Sequence, residues 1–270
     1  MRFPRIAWAF VWREFLEDAS YPLKVIFSFV AVVINLGFLV VFTEFLGKTL
    51  TYKFGGMSGE YLPFLLLGLS FHTLLDTALR ELSSRVRQAQ TQGVLEALLA
   101  TKAPLRYIML ALPLYPVMRA CIRIVILLLL GAALFDVSLR WENWPMAGAA
   151  LGMGIIVFGA LGLIFAGLTV VFKRTEPLVH GFNAACFLLS GVIVPWEELP
   201  PLLQSVAVVL PLTPALEAFR YSLLDGSDWA QVWPAFFRMF LFAVVLVPLS
   251  VFVFRWSVRQ AMRDGSLAQY

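Results

Sequence analysis

Apolar and polar positions along this chain fall into long blocks rather than short periods. Val25 to Thr43 runs 19 residues without a charge, close to the roughly 20 that cross the hydrocarbon core of a bilayer. Comparable apolar blocks cover 61–79, 107–135, 146–172, 178–194 and 233–254. The pattern predicts an all-α membrane protein: six transmembrane helices forming a single domain over 1–270. Residues 1–24 precede the first block and suit an interfacial helix. Phe3, Ile6, Ala7, Phe10 and Val11 share one face, with Trp8, Trp12 and Phe15 beside it and Arg5, Arg13 and Glu17 on the polar edge. The charges at Arg13, Glu14, Glu17 and Asp18 argue against a cleavable signal.

Two stretches break the block pattern. The first is polar and runs from Arg80 to Arg106. After Gly93, residues Val94, Leu95, Leu98 and Leu99 make a short apolar face, Glu96 and Lys102 stay polar, and Pro104 ends the element. It reads as a brief amphipathic helix outside the bilayer, resting on the membrane surface or, the reading we prefer, docking on a partner protein. The second stretch, Ser190 to Arg220, leaves the fifth block at Pro195 and is broken again at Pro211 and Pro214. It is too apolar for a surface loop and too interrupted for a span. Irregular backbone at membrane depth survives only where protein or a water-filled cavity covers it.

Composition sharpens this reading. Hydrophobic residues make up 60% of the chain and charged ones 14%, against roughly 25% charged in soluble domains. Little sequence remains for a soluble domain, and nothing points to nucleic acid. Charge sidedness matters more than the net +4. With six spans, fourteen of the 21 Lys and Arg residues fall on the side of the termini and four on the other. The positive-inside rule then places both termini, the 80–106 stretch and the 173–176 turn in the cytoplasm, and the 190–220 stretch outside. Cys121 and Cys186 lie in apolar runs and read as small packing residues.

Ionisable residues inside the spans are the candidates for chemistry. His72 and Asp76 stand four apart on one face and fit a proton relay or a polar packing pair. Arg119 and Arg123 are also four apart, and either snorkel to the headgroups or line an internal path. Gly148, Gly152, Gly159, Gly162 and Gly167 in the fourth span, with one GxxxG at Gly148 and Gly152, read as close packing inside the subunit. No HExxH, CxxC or GxSxG occurs, so no catalytic residue, cofactor site or metal site is nominated. Gly47-Lys48-Thr49 is not a phosphate loop, because residue 42 is Phe where that motif needs Gly.

Three segments together resemble the permease subunits of type 2 ABC transporters, chiefly bacterial exporters. Gly93 to Thr101 resembles the family's cytoplasmic G-T-L-E-x-L-L segment, with Val94 in place of Thr and two residues inserted before Pro104. Ser190-Gly191 with Pro195, Leu199-Pro200, Pro211-Leu212-Thr213 and Glu217 to Arg220 resembles its C-terminal signature. The N-terminal interfacial helix also fits.

The resemblance implies a homodimer or close heterodimer in a bacterial inner membrane, joined to two ATPase subunits that hold ATP and Mg. It implies that 83–104 is a coupling helix, with Gly93, Leu95, Glu96, Leu98, Leu99 and Pro104 meeting the ATPase. It further implies that 195–215 forms re-entrant outer helices, with Gly191, Pro195, Leu199, Pro200, Pro211 and Thr213 in an outer gate. Glu217 and Arg220 then read as a local pair where the chain leaves that gate.

Spans one and five are expected at the dimer seam, with Phe27, Phe38, Phe182 and Phe187 as seam residues and Arg119 and Arg123 as further pathway residues. The apolar seam favours an amphipathic or lipid-linked substrate in contact with membrane lipids. Two other readings stand beside this one: a scaffold that recruits a cytoplasmic partner without transport, and a proton-coupled transporter using His72 and Asp76.

Overall fold

The computed structural model describes residues 3–45, 51–54, 57–93, 105–135, 137, 139–172, 175–225 and 228–263. Ten helices account for most of them. Helix α1 is Phe3–Ser20 and α2 is Pro22–Phe45. A short antiparallel hairpin follows, β1 Thr51–Phe54 on β2 Met57–Glu60, with Thr51 opposite Glu60. Helix α3 runs unbroken over Tyr61–Thr91. Helices α4 Leu105–Ala111 and α5 Leu114–Phe135 come next, then α6 Trp144–Phe172 and α7 Glu176–Leu189. The chain ends in α8 Pro201–Val209, α9 Leu212–Arg220 and α10 Trp229–Arg263.

Among the described residues four helices are long and apolar enough to cross a membrane: α3, the α4–α5 stretch from Tyr107 to Leu134, α6 and α10. A fifth is reached if the bent pair α8–α9 is taken as one span. The predicted first span lies within α2, whose apolar stretch Val30–Val41 is shorter. The predicted fifth lies in α7, only 14 residues long, or about 21 Å at 1.5 Å per residue.

Helix α3 is the core. Its apolar residues ring the whole helix, which is the pattern of a buried element, and 72% of its most apolar window is buried, against 11% for α10. Helices α5, α6 and α9 pack around it. The closest approach is at Gly162 of α6, where a Cβ would run into the Ala78 carbonyl of α3. Ala78 sits in a π-helical turn, Thr77–Glu81. Gly148 and Gly152 meet nothing within 4 Å, so the GxxxG pair does not pack inside the subunit as its spacing implied. Gly154 does, against Phe71.

Helix α3 ends where its sequence lets it end. Gly93 adopts φ +68° and donates its N–H to the Gln90 carbonyl, a glycine-terminated helix stop. The first nine residues of the 83–104 segment therefore extend the second span. The rest of that segment, with Leu95, Glu96, Leu98, Leu99 and Pro104, lies outside the described residues. The turn at Leu112-Pro113 divides the predicted third span between α4 and α5, and Pro116 falls in the first turn of α5, where a missing N–H costs nothing.

Candidate functional site

Helix α3 carries a polar cluster at each end. Phe64 and Arg85 are 21 residues apart on it, about 31 Å along the axis, which matches the hydrocarbon thickness of a bilayer. The two clusters are therefore separated by about the thickness of a bilayer's hydrocarbon core.

The first is built by the broken segment. Helix α7 closes on Gly191, whose φ of +87° turns the chain back, with Ser190 N–H bonded to the Cys186 carbonyl. Pro195 is buried and leads into a single 3-10 turn, Trp196–Glu198. Leu199, half-buried, and Pro200, exposed, carry the chain into α8, whose first residue is Pro201. Helices α8 and α9 meet at 87°. Pro211 is buried at the bend, and the Thr213 hydroxyl donates to the Ala207 carbonyl at 2.6 Å, fastening the end of α8 to the start of α9. Gln204 spans the other side, donating to the carbonyls of Glu197 and Leu199.

Arg220 holds this segment to the bundle. It is 1% exposed, the bulkiest fully buried side chain. Its Nη1 donates to the Gly191 carbonyl at 2.7 Å, and its Nη2 to those of Phe64 and Val192 at 3.1 and 3.2 Å. The guanidinium lies 3.5 Å above the centre of the Phe64 ring, a cation–π contact. Tyr61 adds its hydroxyl to the Ile193 carbonyl at 2.7 Å. Space for the guanidinium comes from Gly68, where a Cβ would lie 2.5 Å from the Val192 oxygen and 2.6 Å from Nη2.

Glu217 points elsewhere. It accepts from Trp196 Nε1 at 2.9 Å and pairs with Arg238 of α10. The local Glu217–Arg220 pair expected from their spacing is corrected. Each residue reaches across the fold, because a buried guanidinium is better served by free turn carbonyls close at hand. Trp196, Arg238, Phe64 and Gly68 were all missed in the sequence. The signal for Arg220 was a lone cation inside a run of apolar residues.

The second cluster joins α1 to the bundle. Asp18, buried, accepts from the Tyr115 hydroxyl at 2.8 Å and from Arg119 Nη1 at 3.1 Å. Arg119 Nη2 reaches Glu81 at 2.5 Å. Arg85 pairs with Glu14 and lies 3.6 Å from Glu81. Arg119 thus ties α1 to α3 through a carboxylate of each. It is half-exposed at a cleft of about 490 Å³ between α1, α3 and α5, clamping the interfacial helix. Arg87 pairs with Glu176 across the start of α7.

The remaining candidates scatter. The Asp76 carboxylate accepts from Asn183 Nδ2 at 2.7 Å and pairs with Arg80 Nε at 2.8 Å. The His72 ring meets Phe187 edge-on at 4.9 Å, and Phe182 packs on Phe165 at 5.3 Å. Both predicted seam residues of α7 thus face the bundle. Phe27 and Phe38 of α2 are 66% and 64% exposed. With Val30, Ile34 and Val41 they form one bare stripe at helical spacing. Arg123 lines a cavity with His72. Gly93 is exposed.

A helical membrane protein with its charge concentrated at one end and a sealed, bent helix pair at the other has the build of a transport subunit. Residues 6–224 match the ABC-2 type transporter family, and the chain belongs to that family. It is a multi-pass membrane permease, the subunit of an ABC transporter that works with an ABC ATPase. The inner membrane transport permease YadH of Escherichia coli (strain K12) is 23% identical over 192 residues, 71% of this chain and 73% of that protein. The putative transport permease YvfS of Bacillus subtilis (strain 168) is 23% identical over 150 residues, 54% of this chain and 59% of that one.

Proposed function

We propose that this permease exports an amphipathic or lipid-linked substrate across a bacterial inner membrane, as a homodimer driven by two copies of a separate ABC ATPase. ATP and Mg are held by that ATPase. Six spans cross the membrane, with both termini cytoplasmic and 195–215 forming re-entrant outer helices.

The observation that carries this reading is the polarity of α3. One end sits beneath a closed, proline-broken segment locked by Arg220. The other ends at Gly93, directly before the segment that resembles a coupling helix. Leu95, Leu98 and Leu99 would lie in a groove of the ATPase, with Glu96 at its edge, the helix-in-groove mode of recognition. Closure of the ATPase pair then shifts the permease between two arrangements that it binds with different affinity. The bare stripe of α2 and the exposed positions Leu178, Gly181, Ala184 and Leu188 of α7 supply apolar faces for a second copy. An apolar seam of this kind tolerates an acyl or prenyl tail.

The test is co-purification and reconstitution with a co-expressed ABC ATPase. Glu96→Lys and Leu98→Asp are expected to abolish coupling of ATP hydrolysis to transport while leaving a folded, monodisperse permease. Full coupling in both variants removes the coupling-helix assignment. Absence of any stable ATPase complex removes the transport reading in favour of a scaffold.

A further inference from the structure

Helix α10 is the most exposed of the four long apolar helices, and none of its 35 residues is acidic. Its basic residues stand toward the two ends. Arg238 is engaged by Glu217. Arg255, Arg259 and Arg263 follow in steps of four and are all exposed. Among the described residues none of these three guanidinium groups has an ion-pair or hydrogen-bond partner. Steps of four drift by only about 40° around a helix, so the three arginines share one stripe.

Depth is set by the neighbours. Arg259 lies 21 residues beyond Arg238, about 31 Å along the axis, the interval that separates Phe64 from Arg85 on α3. Val258 packs in one cluster with Leu82 and Val86 of α3. The arginines are therefore level with the charged end of α3, where hydrocarbon gives way to headgroups. Toward the bilayer centre the same stripe turns apolar. Leu241, Val244, Val245 and Phe252 follow its direction at helical spacing, and all are exposed. Leu241 to Phe252 covers about 16 Å, the depth of one leaflet of a core roughly 30 Å thick. Trp256 is exposed between the two parts, at the level where aromatic rings gather in membrane proteins.

We propose that this stripe binds an anionic phospholipid. Arg255, Arg259 and Arg263 hold its phosphate and acidic headgroup, Trp256 sits at the junction, and one acyl chain lies along Leu241 to Phe252. Guanidinium forks match phosphate oxygens. A zwitterionic lipid offers the same phosphate but brings a cation to a helix without a carboxylate. Each arginine beside an anionic surface is worth about fivefold. A second copy of the chain is a poorer occupant. Helix α10 packs on α6 and α9, whereas the bare faces offered to a second copy belong to α2 and α7. The site is independent of the direction and cargo of transport.

The test uses the permease purified with a co-expressed ABC ATPase in phosphatidylcholine nanodiscs. Phosphatidylglycerol and phosphatidylcholine probes, each with a diazirine in one acyl chain, are added at equal trace amounts and their crosslinks mapped by peptide mass spectrometry. The anionic probe is expected to label residues 241–256 at least about tenfold more than the zwitterionic one. Arg255→Gln, Arg259→Gln and Arg263→Gln together should reduce that preference to less than about twofold while the ATPase still co-purifies. The three Arg→Lys changes should keep most of it, because the charge remains. If the triple Gln variant fails to fold, Arg259→Gln alone should lower the preference about three- to fivefold, whereas Arg140→Gln, an equal loss of charge elsewhere, should leave it unchanged. Millimolar glycerol phosphate, which has no tail, should not compete.

Equal labelling by the two probes, or a preference undiminished in the Gln variants, overturns the proposal. So does an equal fall in Arg140→Gln, which would make the preference one of net charge. Full competition by glycerol phosphate would leave a small-anion site in place of a lipid site. Loss of the ATPase from the triple variant would give the stripe to an acidic surface of that partner and overturn the lipid assignment. A wild-type permease that shows the lipid preference but holds no ATPase loses the transport reading and keeps this site.

Discussion

Arg220→Met isolates what the buried guanidinium contributes. Met keeps the length and an apolar stem and removes every donor. The carbonyls of Gly191 and Val192 sit in the turn after α7, and among the described residues only Arg220 donates to them. Each buried carbonyl left without a donor costs ~1–3 kcal/mol, and the lost ring contact with Phe64 about 2 kcal/mol. Relief from burying a charge offsets part of that sum. The net expectation is ~3–5 kcal/mol.

For a domain of this size the shift in Tm is on the order of 10 °C, read by scanning fluorimetry of the protein in nanodiscs. Arg220→Lys offers one compact ammonium to acceptors on two separate elements and should recover about half. Gly68→Ala gives an independent check. Its Cβ meets both Val192 and the guanidinium, so its cost should fall by about 1 kcal/mol in the Arg220→Met background. A Tm for Arg220→Met within about 3 °C of the wild type would refute the reasoning.

The other predictions rest on single contacts. Glu217→Leu strands Arg238 and the Trp196 indole and should cost ~3 kcal/mol, whereas Glu217→Gln, which keeps an acceptor for Trp196, should cost less; chemical denaturation separates the two. Arg119→Leu releases the buried Asp18 and the half-buried Glu81 together, so hydrogen exchange over residues 3–20 should rise by at least about tenfold while α6 and α10 stay protected. Gly162→Leu cannot fit against the Ala78 carbonyl and is expected to abolish a monodisperse species in size-exclusion chromatography, whereas Gly148→Leu, in open space, should leave it unchanged.

What could be read in the sequence is what depends on neighbours along the chain. Blocks of apolar residues located α2, α3, α5, α6 and α10, because a membrane span needs only length and hydropathy. Prolines at 195, 200, 201 and 211 located the turns around α8 and α9, because each fixes its own φ and lacks an N–H. Contacts between distant positions left no local trace. Arg220 meets Phe64 from 156 residues away and Asp18 meets Arg119 from 101. In each case the sequence showed a charge in or beside an apolar run, with nothing to say which partner it would find. The end of α3 was misjudged for a related reason. Residues 83–91 are polar and were assigned to the 83–104 segment, yet Ser83, Val86 and Gln90 are buried against the core. A helix keeps its fold on leaving the bilayer as long as one face stays packed.

That continuity lets α3 link the two polar clusters, as the proposed transport reading requires. Tyr61, Phe64 and Gly68 touch the closed segment, Glu81 and Arg85 hold α1, and Gly93 stops the helix just short of residues 94–104. A hydrogen-bonded helix is stiff along its axis, so a push at the Gly93 end reaches the Arg220 contacts unless the helix gives way between them. Its one irregular turn, the π-helical Thr77–Glu81, lies in that interval. Turns of this kind concentrate at functional positions because one extra residue loosens the ladder of hydrogen bonds. Here Ala78 is pressed into α6 at Gly162 and Glu81 is tied to Arg119. The irregular turn is thus pinned on both sides, and α3 moves with α6 and α5 rather than bending between them. On the transport mechanism proposed above, the three carbonyl bonds of Arg220 would be the contacts that such a movement breaks to free the 190–220 segment.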